Sequence, residues 1–456
     1  MNEHINYQHA PAHQKLLACH LAGQAVKPPL GSSLESEFSN IIDYRYSCWP
    51  FVVSPSLQRG FSDIIEGVHD VFYNALSLYF ESDAQAFADY FEVPAITYEF
   101  LQDNQFDTSQ VIARYDIIMQ DGKGKILEVN AGTNLGGWEF DIVADEVIAN
   151  AHSFDKSIRL SYPYVIQSLF RHTERVLEEK NGLSGCANIL FIAPEFTDNR
   201  LQQMWLNQQV HSCGLNGTFK LLFCDSPAQL REQDGFIYSG KNKIDVIFWP
   251  EMQKRSDFVL QILKSQLAGN IIFFDSPVCT LLGHKVMLAL LHEEKVLSQL
   301  NEKQRQFVIE HVPWTVKLNR EEVMFNQESW QLRKLLMQKR TELVVKKSNS
   351  FQGEHVHVGS SSSPAEWETL IDGLLGSNDW IAQQFVSADP ITAVNNDSEV
   401  LDYKPVWGSF DFGGRYRGNI IRAVEAEMSD GAINGANDAL CFLVCEQRKT
   451  TKKLVI

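Results

Sequence analysis

Val111-Ile-Ala-Arg-Tyr-Asp-Ile-Ile-Met119 and Lys125-Ile-Leu-Glu-Val-Asn130, joined by Gln120-Asp-Gly-Lys-Gly124, read as a β-hairpin. The outer runs are apolar and rich in strand formers, and the linker's glycines can take the positive φ of a tight turn. Side chains two positions apart on a strand share a face. Arg114 and Asp116 therefore point one way, as do Glu128 and Asn130, and pairing around the turn lets the two faces coincide. Two carboxylates, an amide oxygen and a guanidinium then meet among apolar flanks. Magnesium takes one or two carboxylates together with phosphate oxygens and water. An arginine beside it can stabilise the charge that develops in phosphoryl transfer. A surface hairpin with a cross-strand salt bridge would show the same spacing. The loop that follows, Ala131-Gly-Thr-Asn-Leu-Gly-Gly137, favours a site, because its N–H groups would suit an anion.

Upstream of the hairpin, residues 1–100 read as mostly helical, with apolar residues at helix spacing between Phe61 and Phe91. Downstream, from about 150 to 280, strands alternate with helices: Asn188–Ala193, Phe219–Cys224, Ile244–Trp249 and Asn270–Phe274, with helices at Asn199–Cys213 and Ser256–Leu267. That alternation predicts a parallel, Rossmann-like sheet. No Gly-x-Gly-x-x-Gly follows its first strand, which argues against a dinucleotide there. The last third predicts a helix from Val286 to about Gln304, another over Trp330–Arg340, and strands at Glu342–Lys347, Glu354–Val358 and Trp380–Val386. Ser363-Pro-Ala-Glu366 is a capping box with proline at the first helical position, so a helix starts there.

The 456 residues suffice for two or three packed domains. A net charge of −17 argues against a broad nucleic-acid surface, which needs clustered positive charge. No apolar run reaches bilayer length and the N-terminus lacks the look of a signal peptide, so a cytoplasmic protein without membrane association is expected. The eight cysteines contain no Cys-x2-Cys pair, which disfavours zinc; Cys441 and Cys445 are expected to share a buried surface.

Arg-Tyr-Asp at 114–116 followed by Glu-Val-Asn-Ala at 128–131 resembles the metal-binding core of glutathionylspermidine synthetase-type enzymes and their circularly permuted ATP-grasp relatives. Here the motif precedes the lysine-bearing segments, the order expected of the permutation. The resemblance implies that Asp116, Glu128 and Asn130 bind magnesium, two ions in all, and that Arg114 contacts the transferring phosphate. Asp275-Ser-Pro-Val-Cys-Thr-Leu-Leu-Gly-His-Lys285 is similar to the segment whose lysine, near a helix start, reaches the ATP phosphates; a lysine so placed can equally be solvated. Leu343-Val-Val-Lys-Lys-Ser-Asn-Ser-Phe-Gln-Gly353 resembles the strand that ends in Lys-Pro before a glycine-bearing loop over the phosphates. Lys346 aligns with that lysine and Lys347 replaces the proline, so either can be the contact, with Gly353 in the loop. Ile381-Ala-Gln-Gln-Phe-Val386 resembles the inter-lobe hinge whose backbone reads adenine, which places Gln383, Gln384, Phe385 and Val386 at the nucleotide. Gly413–Arg422 looks like the closing strand, with Arg422 as a second phosphate or metal-site contact or a structural ion pair.

The fold so implied is α/β (α+β): a circularly permuted ATP-grasp with a Rossmann-like parallel-sheet domain. Residues 1–150 would hold the helical segment and metal-binding hairpin, 151–280 the Rossmann-like domain, and 281–456 the nucleotide-binding lobes. The implied activity is an ATP- and magnesium-dependent carboxylate–amine ligation through an acyl-phosphate, on small-molecule or peptide substrates. A non-catalytic ATP-binding protein and an ATP-dependent kinase on the same fold are the alternatives. Asn134, Gly136, Gly137 and Trp138 are expected to wall the carboxylate site. His355 and His357 lie near it, as substrate contacts or simply as exposed strand residues.

Overall fold

The computed structural model describes residues 7–23, 42, 44–103, 107–154, 158–181, 185–250, 258–349, 355–427 and 439–447. Gly353, and with it most of the segment expected to close over the phosphates, lies outside the described residues.

A short strand β1 (Phe51–Val53) leads into the long helix α1 (Pro55–Phe80). Ser54 caps this helix by accepting from the Leu57 amide, with Pro55 at its first position. The predicted hairpin follows as β2 (Ile112–Gln120) and β3 (Lys123–Ala131). Its turn is tighter than the sequence implied. Asp121 (φ 50°) and Gly122 (φ 74°) make a two-residue reversal, whereas Gly124 sits within β3, where a Cβ would run into Ile64.

The chain then builds a fully parallel four-stranded sheet from β4 (Ala187–Ile192), β5 (Phe219–Cys224), β6 (Val246–Phe248) and β7 (Ile272–Phe273), in the order β7-β6-β4-β5. Two flanking helices matter below: α2 (Val165–Asn181) and α3 (Arg200–Ser212). The helix expected from Val286 to Gln304 is instead three pieces, Val286–Leu290, Glu294–Leu297 and Glu302–His311. The last begins at a capping box built on Asn301 and Gln304, so a new start signal interrupts the apolar periodicity.

Next comes an antiparallel sheet of β8 (Thr315–Lys317), β9 (Leu343–Lys347), β10 (Val356–Val358) and β11 (Trp380–Gln384), in the order β8-β11-β9-β10. The predicted Ser363–Glu366 capping box opens the helix Pro364–Leu374 that covers it. The chain finally returns to the first sheet with β12 (Ile391–Val394), β13 (Val400–Phe412), β14 (Tyr416–Glu425) and β15 (Leu440–Gln447). That sheet runs β1-β15-β14-β13-β2-β3, with β12 beside β13 and Leu160–Ser161 beside β15. Its α1-facing side is dry and aromatic: the Trp407 ring lies 5.2 Å from Phe61 and 5.4 Å from Phe51. Cys441 and Cys445 are buried on β15. No helix among the described residues is long and apolar enough to cross a membrane.

Candidate functional site

The hairpin register places Arg114 opposite Asn130 and Asp116 opposite Glu128. All four therefore stand on one face, the side away from α1. A β-bulge follows at once: Asp116 pairs with Glu128 but Ile117 with Ile126, which leaves Leu127 as the extra residue.

Asp116 is buried and hydrogen-bonded on both oxygens. Oδ1 accepts from Arg114 Nε (3.1 Å), and Oδ2 from Arg422 Nη2 (2.6 Å) and Asn130 Nδ2 (3.2 Å). Burial pushes this carboxyl's pKa up, but the two guanidiniums more than reverse that and hold it well below the usual carboxylate range. Arg422 reaches Asp116 from β14, across β13, where residue 408 is a glycine. A Cβ on Gly408 would meet the Arg114 side chain at 2.9 Å. The glycine thus makes room for the Arg114 side chain and for Ile420.

Lys285 directs Nζ to Glu128 Oε2 at 3.5 Å. The helix it precedes has only five residues, and the Lys285 amide donates to the Ser348 carbonyl, so the lysine and not a helix terminus presents the positive charge. Lys346, on β9, donates to Gln383 Oε1 (2.7 Å) and to the bulged Leu127 carbonyl (3.4 Å). Burial pushes its pKa down to about 8, with Glu128 and Asp116 opposing and Lys285 adding to the fall. Gln383 also donates to Leu127 O and to Thr315 Oγ1, which fixes its carbonyl toward the lysine. Lys347 alternates to the other side of β9, where Nζ lies 3.7 Å from Asp379 in a partly exposed pair.

The hinge segment is more engaged than its resemblance implied. The Gln384 amide donates to Trp314 O and the Phe385 amide to Glu342 O, so neither N–H is open to a purine. Val386 packs with Ile118 and Val406, against the large sheet. The glycine loop is also committed in part. The Thr133 amide and hydroxyl both donate to Asp275 (2.6 and 2.8 Å), and the Gly137 amide donates to Glu139 (2.6 Å). These two N–H groups bind protein carboxylates rather than an incoming anion. Asn134 and Gly136 are exposed, and Arg114 Nη1 donates to the Gly136 carbonyl at 2.6 Å. Trp138 packs near Trp205, ring centroids 5.6 Å apart. His357 stacks on Trp380.

Sequence reading missed Asp275. It also accepts from the Trp249 amide, so it ties the glycine loop to the carboxyl ends of the parallel strands. Burial pushes its pKa up to about 6, against these three donors. A carboxylate just past an apolar strand was the available signal, since parallel sheets present their sites at that end.

No family model matches the chain, and no curated protein matches it. Among solved structures, it is similar to a glutathione synthetase-like effector of Globodera pallida in apo form, at 12% identity and a TM-score of 0.53. The likeness covers 95% of this chain and 96% of that one. A gamma-glutamylcysteine synthetase candidate from Methylobacillus flagellatus is similar over 86% of this chain and 89% of that chain, at 10% identity and a TM-score of 0.41. The first likeness, nearly end to end, shows the fold: a mixed α/β architecture of the synthetase-like kind.

Proposed function

We propose that the chain is an ATP- and magnesium-dependent ligase of the ATP-grasp type, which joins a carboxylate to an amine through an acyl-phosphate. One observation carries the reading. Arg114, Lys285, Lys346 and Arg422, from four separate segments, gather around Asp116 and Glu128, with the Glu139 carboxyl facing Arg114 as a third acidic group. Buried charge of one sign is costly unless neutralised. A triphosphate is the counter-anion that such a surplus suits.

The oxygen donors fit magnesium. Asn130 turns its amide nitrogen to Asp116, which leaves its carbonyl oxygen for a cation, and Glu128 is partly exposed. With the remaining lone pair of Asp116 Oδ1, these make an all-oxygen set of the kind magnesium shares with phosphates. Magnesium held there would offset phosphate charge during transfer. Lys285 and Lys346 would bind the phosphates, while Arg114, braced by Gly136, would orient the γ-phosphate against the substrate carboxylate.

In the first step a carboxylate oxygen attacks the γ-phosphorus and ADP leaves. In the second, the amine attacks the acyl carbon and phosphate leaves with formation of the amide. Catalysis is by positioning and charge stabilisation. The likeness to a glutathione synthetase-like effector supports a peptide-type product. ADP release in the presence of candidate acids, with and without amine, tests the proposal, with hydroxylamine as a trap. A ligase yields hydroxamate and needs the amine for amide product. Release of a stable phosphorylated acid would show a kinase, and absence of ATP consumption a binding protein.

A further inference from the structure

Beside the charged constellation, on the same sheet face, lies a half-open apolar pocket. Ile112 is two residues before Arg114 on β2, so it shares that face about 7 Å away. Its cross-strand partner Phe412, and Phe410 opposite Arg114, complete the pocket floor. One wall is the glycine loop, through Leu135 and Trp138; another is the start of α2, through Ile166 and Leu169. The far end is closed by Phe191 and Phe248, at the carboxyl ends of the parallel strands. The pocket encloses about 560 Å3 of empty space, its solvent-facing mouth included.

Its chemistry is largely apolar. Among the lining residues, Thr133 alone carries a hydroxyl, amide or charged group, and that hydroxyl already donates to Asp275. A polar or charged side chain entering here would lose water and find few partners, the Trp138 indole N–H and the accepting lone pairs of Thr133 Oγ1, which disfavours it. The walls are also held in place. Asp141 accepts from the Val165 and Ile166 amides and so anchors the start of α2, while Asp275 anchors the loop.

We infer that the acid substrate carries a bulky apolar group, of leucine or phenylalanine type, seated in this pocket while its carboxylate lies at Arg114. The inference rests on the ligase reading and names the substrate class of that site. The floor strand makes the geometry: one pleat repeat separates the apolar seat from the guanidinium, so one small acid spans both.

The test measures ADP release by the full chain with Mg-ATP and saturating amine, across amino acids and their N-acyl derivatives matched in size. Leucine- and phenylalanine-type acids are expected to exceed glutamate-, glutamine- and lysine-type acids by roughly 10- to 100-fold in kcat/KM. Leu169→Trp fills the pocket from a half-buried helix position and should raise the KM for the apolar acid about tenfold or more. The shift in melting temperature produced by Mg-ATP should stay as in the wild type. Ile166→Ala provides a second variant that widens the seat and should favour the larger acid.

Calorimetric binding of the apolar acid, with a non-hydrolysable ATP analogue present, separates the two ideas. Turnover confined to polar acids overturns the pocket assignment and leaves the ligase reading standing. So does selectivity that follows the amine rather than the acid. Apolar-acid binding that Leu169→Trp abolishes, with no ADP from any acid, supports the pocket and overturns the ligase reading. If no acid binds and no ADP forms, both fall.

Discussion

Two buried aspartates lie on adjacent strands of the same sheet and face opposite ways. Asp411, on the α1 side, is a closed account of hydrogen bonds. Oδ2 accepts from His69 Nε2 (2.5 Å) and Tyr115 Oη (3.1 Å), and Oδ1 from the Gly414 and Arg415 amides. His69 is its hydrogen-bonded imidazole, and Arg417 lies within electrostatic reach of the same carboxylate. Asp116, on the other side, also has its donors, yet four cations crowd it and Glu128. The difference lies in the cations in direct contact: one imidazole at Asp411, against two guanidiniums at Asp116 and an ammonium at Glu128. A neutralised buried pair holds structure; on the proposed reading, a positive cluster of this kind would suit an anion that arrives later.

The largest expected effect breaks the structural member. Asp411→Ala would leave His69 and Tyr115 unpaired in a dry interior and should cost about 3–5 kcal/mol, read by urea unfolding. ADP release per folded molecule should change little. A comparable loss of turnover at unchanged stability would erase the distinction between the faces.

Next comes the reverse substitution. Lys346→Met should lower kcat/KM by about 10²- to 10³-fold, as expected for loss of one preorganised charge at a transition state. Stability should hold or rise, because the ammonium is buried without a full counter-charge. A variant with near wild-type turnover would remove Lys346 from the proposed phosphate site. Glu128→Gln tests the oxygen donors in parallel, with magnesium affinity as the readout.

Much of this contrast was readable in the residues. Strand periodicity and the Asp-Gly turn together set the register that aligns Arg114 with Asn130 and Asp116 with Glu128. The strand–helix alternation anticipated the parallel sheet, and Ser363/Glu366 marked a helix start. What stayed hidden depends on long sequence separations. Thr133 meets Asp275 across 142 positions and His69 meets Asp411 across 342, and no local pattern encodes such partners. The Leu127 bulge leaves no mark on composition, yet its carbonyl receives both Lys346 and Gln383. The apolar pocket escaped for the same reason, being assembled from seven separate stretches of chain.

pH should separate the two faces by sign. Burial would lower the His69 pKa, but Asp411 overturns this and raises it above the ordinary 6.5. Its stabilising contribution is therefore complete below that value and lost as pH climbs through the folded-state pKa. Lys346 behaves oppositely. With its pKa pushed down to about 8 from 10.5, it makes stability rise between those two values. Over the same interval the nucleotide-free protein loses the charge that, on the proposed reading, would hold phosphate. Mg-ATP affinity, followed by calorimetry from neutral pH to about pH 10, should then weaken by up to about tenfold per unit above pH 8. Lys346→Arg should flatten that limb, and a wild-type profile without it would assign the phosphate contact elsewhere.

The smallest effect discriminates most sharply between neighbours. Lys346 and Lys347 are adjacent, and both were candidates for the phosphate contact. Alternation on β9 sends Lys346 into the constellation and Lys347 to Asp379 on the opposite side, where more than a third of each partner is exposed. An exposed pair of this kind contributes at most about 1 kcal/mol and is screened by salt. Lys347→Ala should therefore alter stability by roughly 0.5 kcal/mol or less and leave ATP affinity within about twofold. If it instead lowers turnover as far as Lys346→Met does, β9 must rotate or slip on binding nucleotide. Because strand side chains alternate, a slip of one residue exchanges the two lysines. Measuring both variants side by side thus tests the register of the strand as well as the identity of the contact.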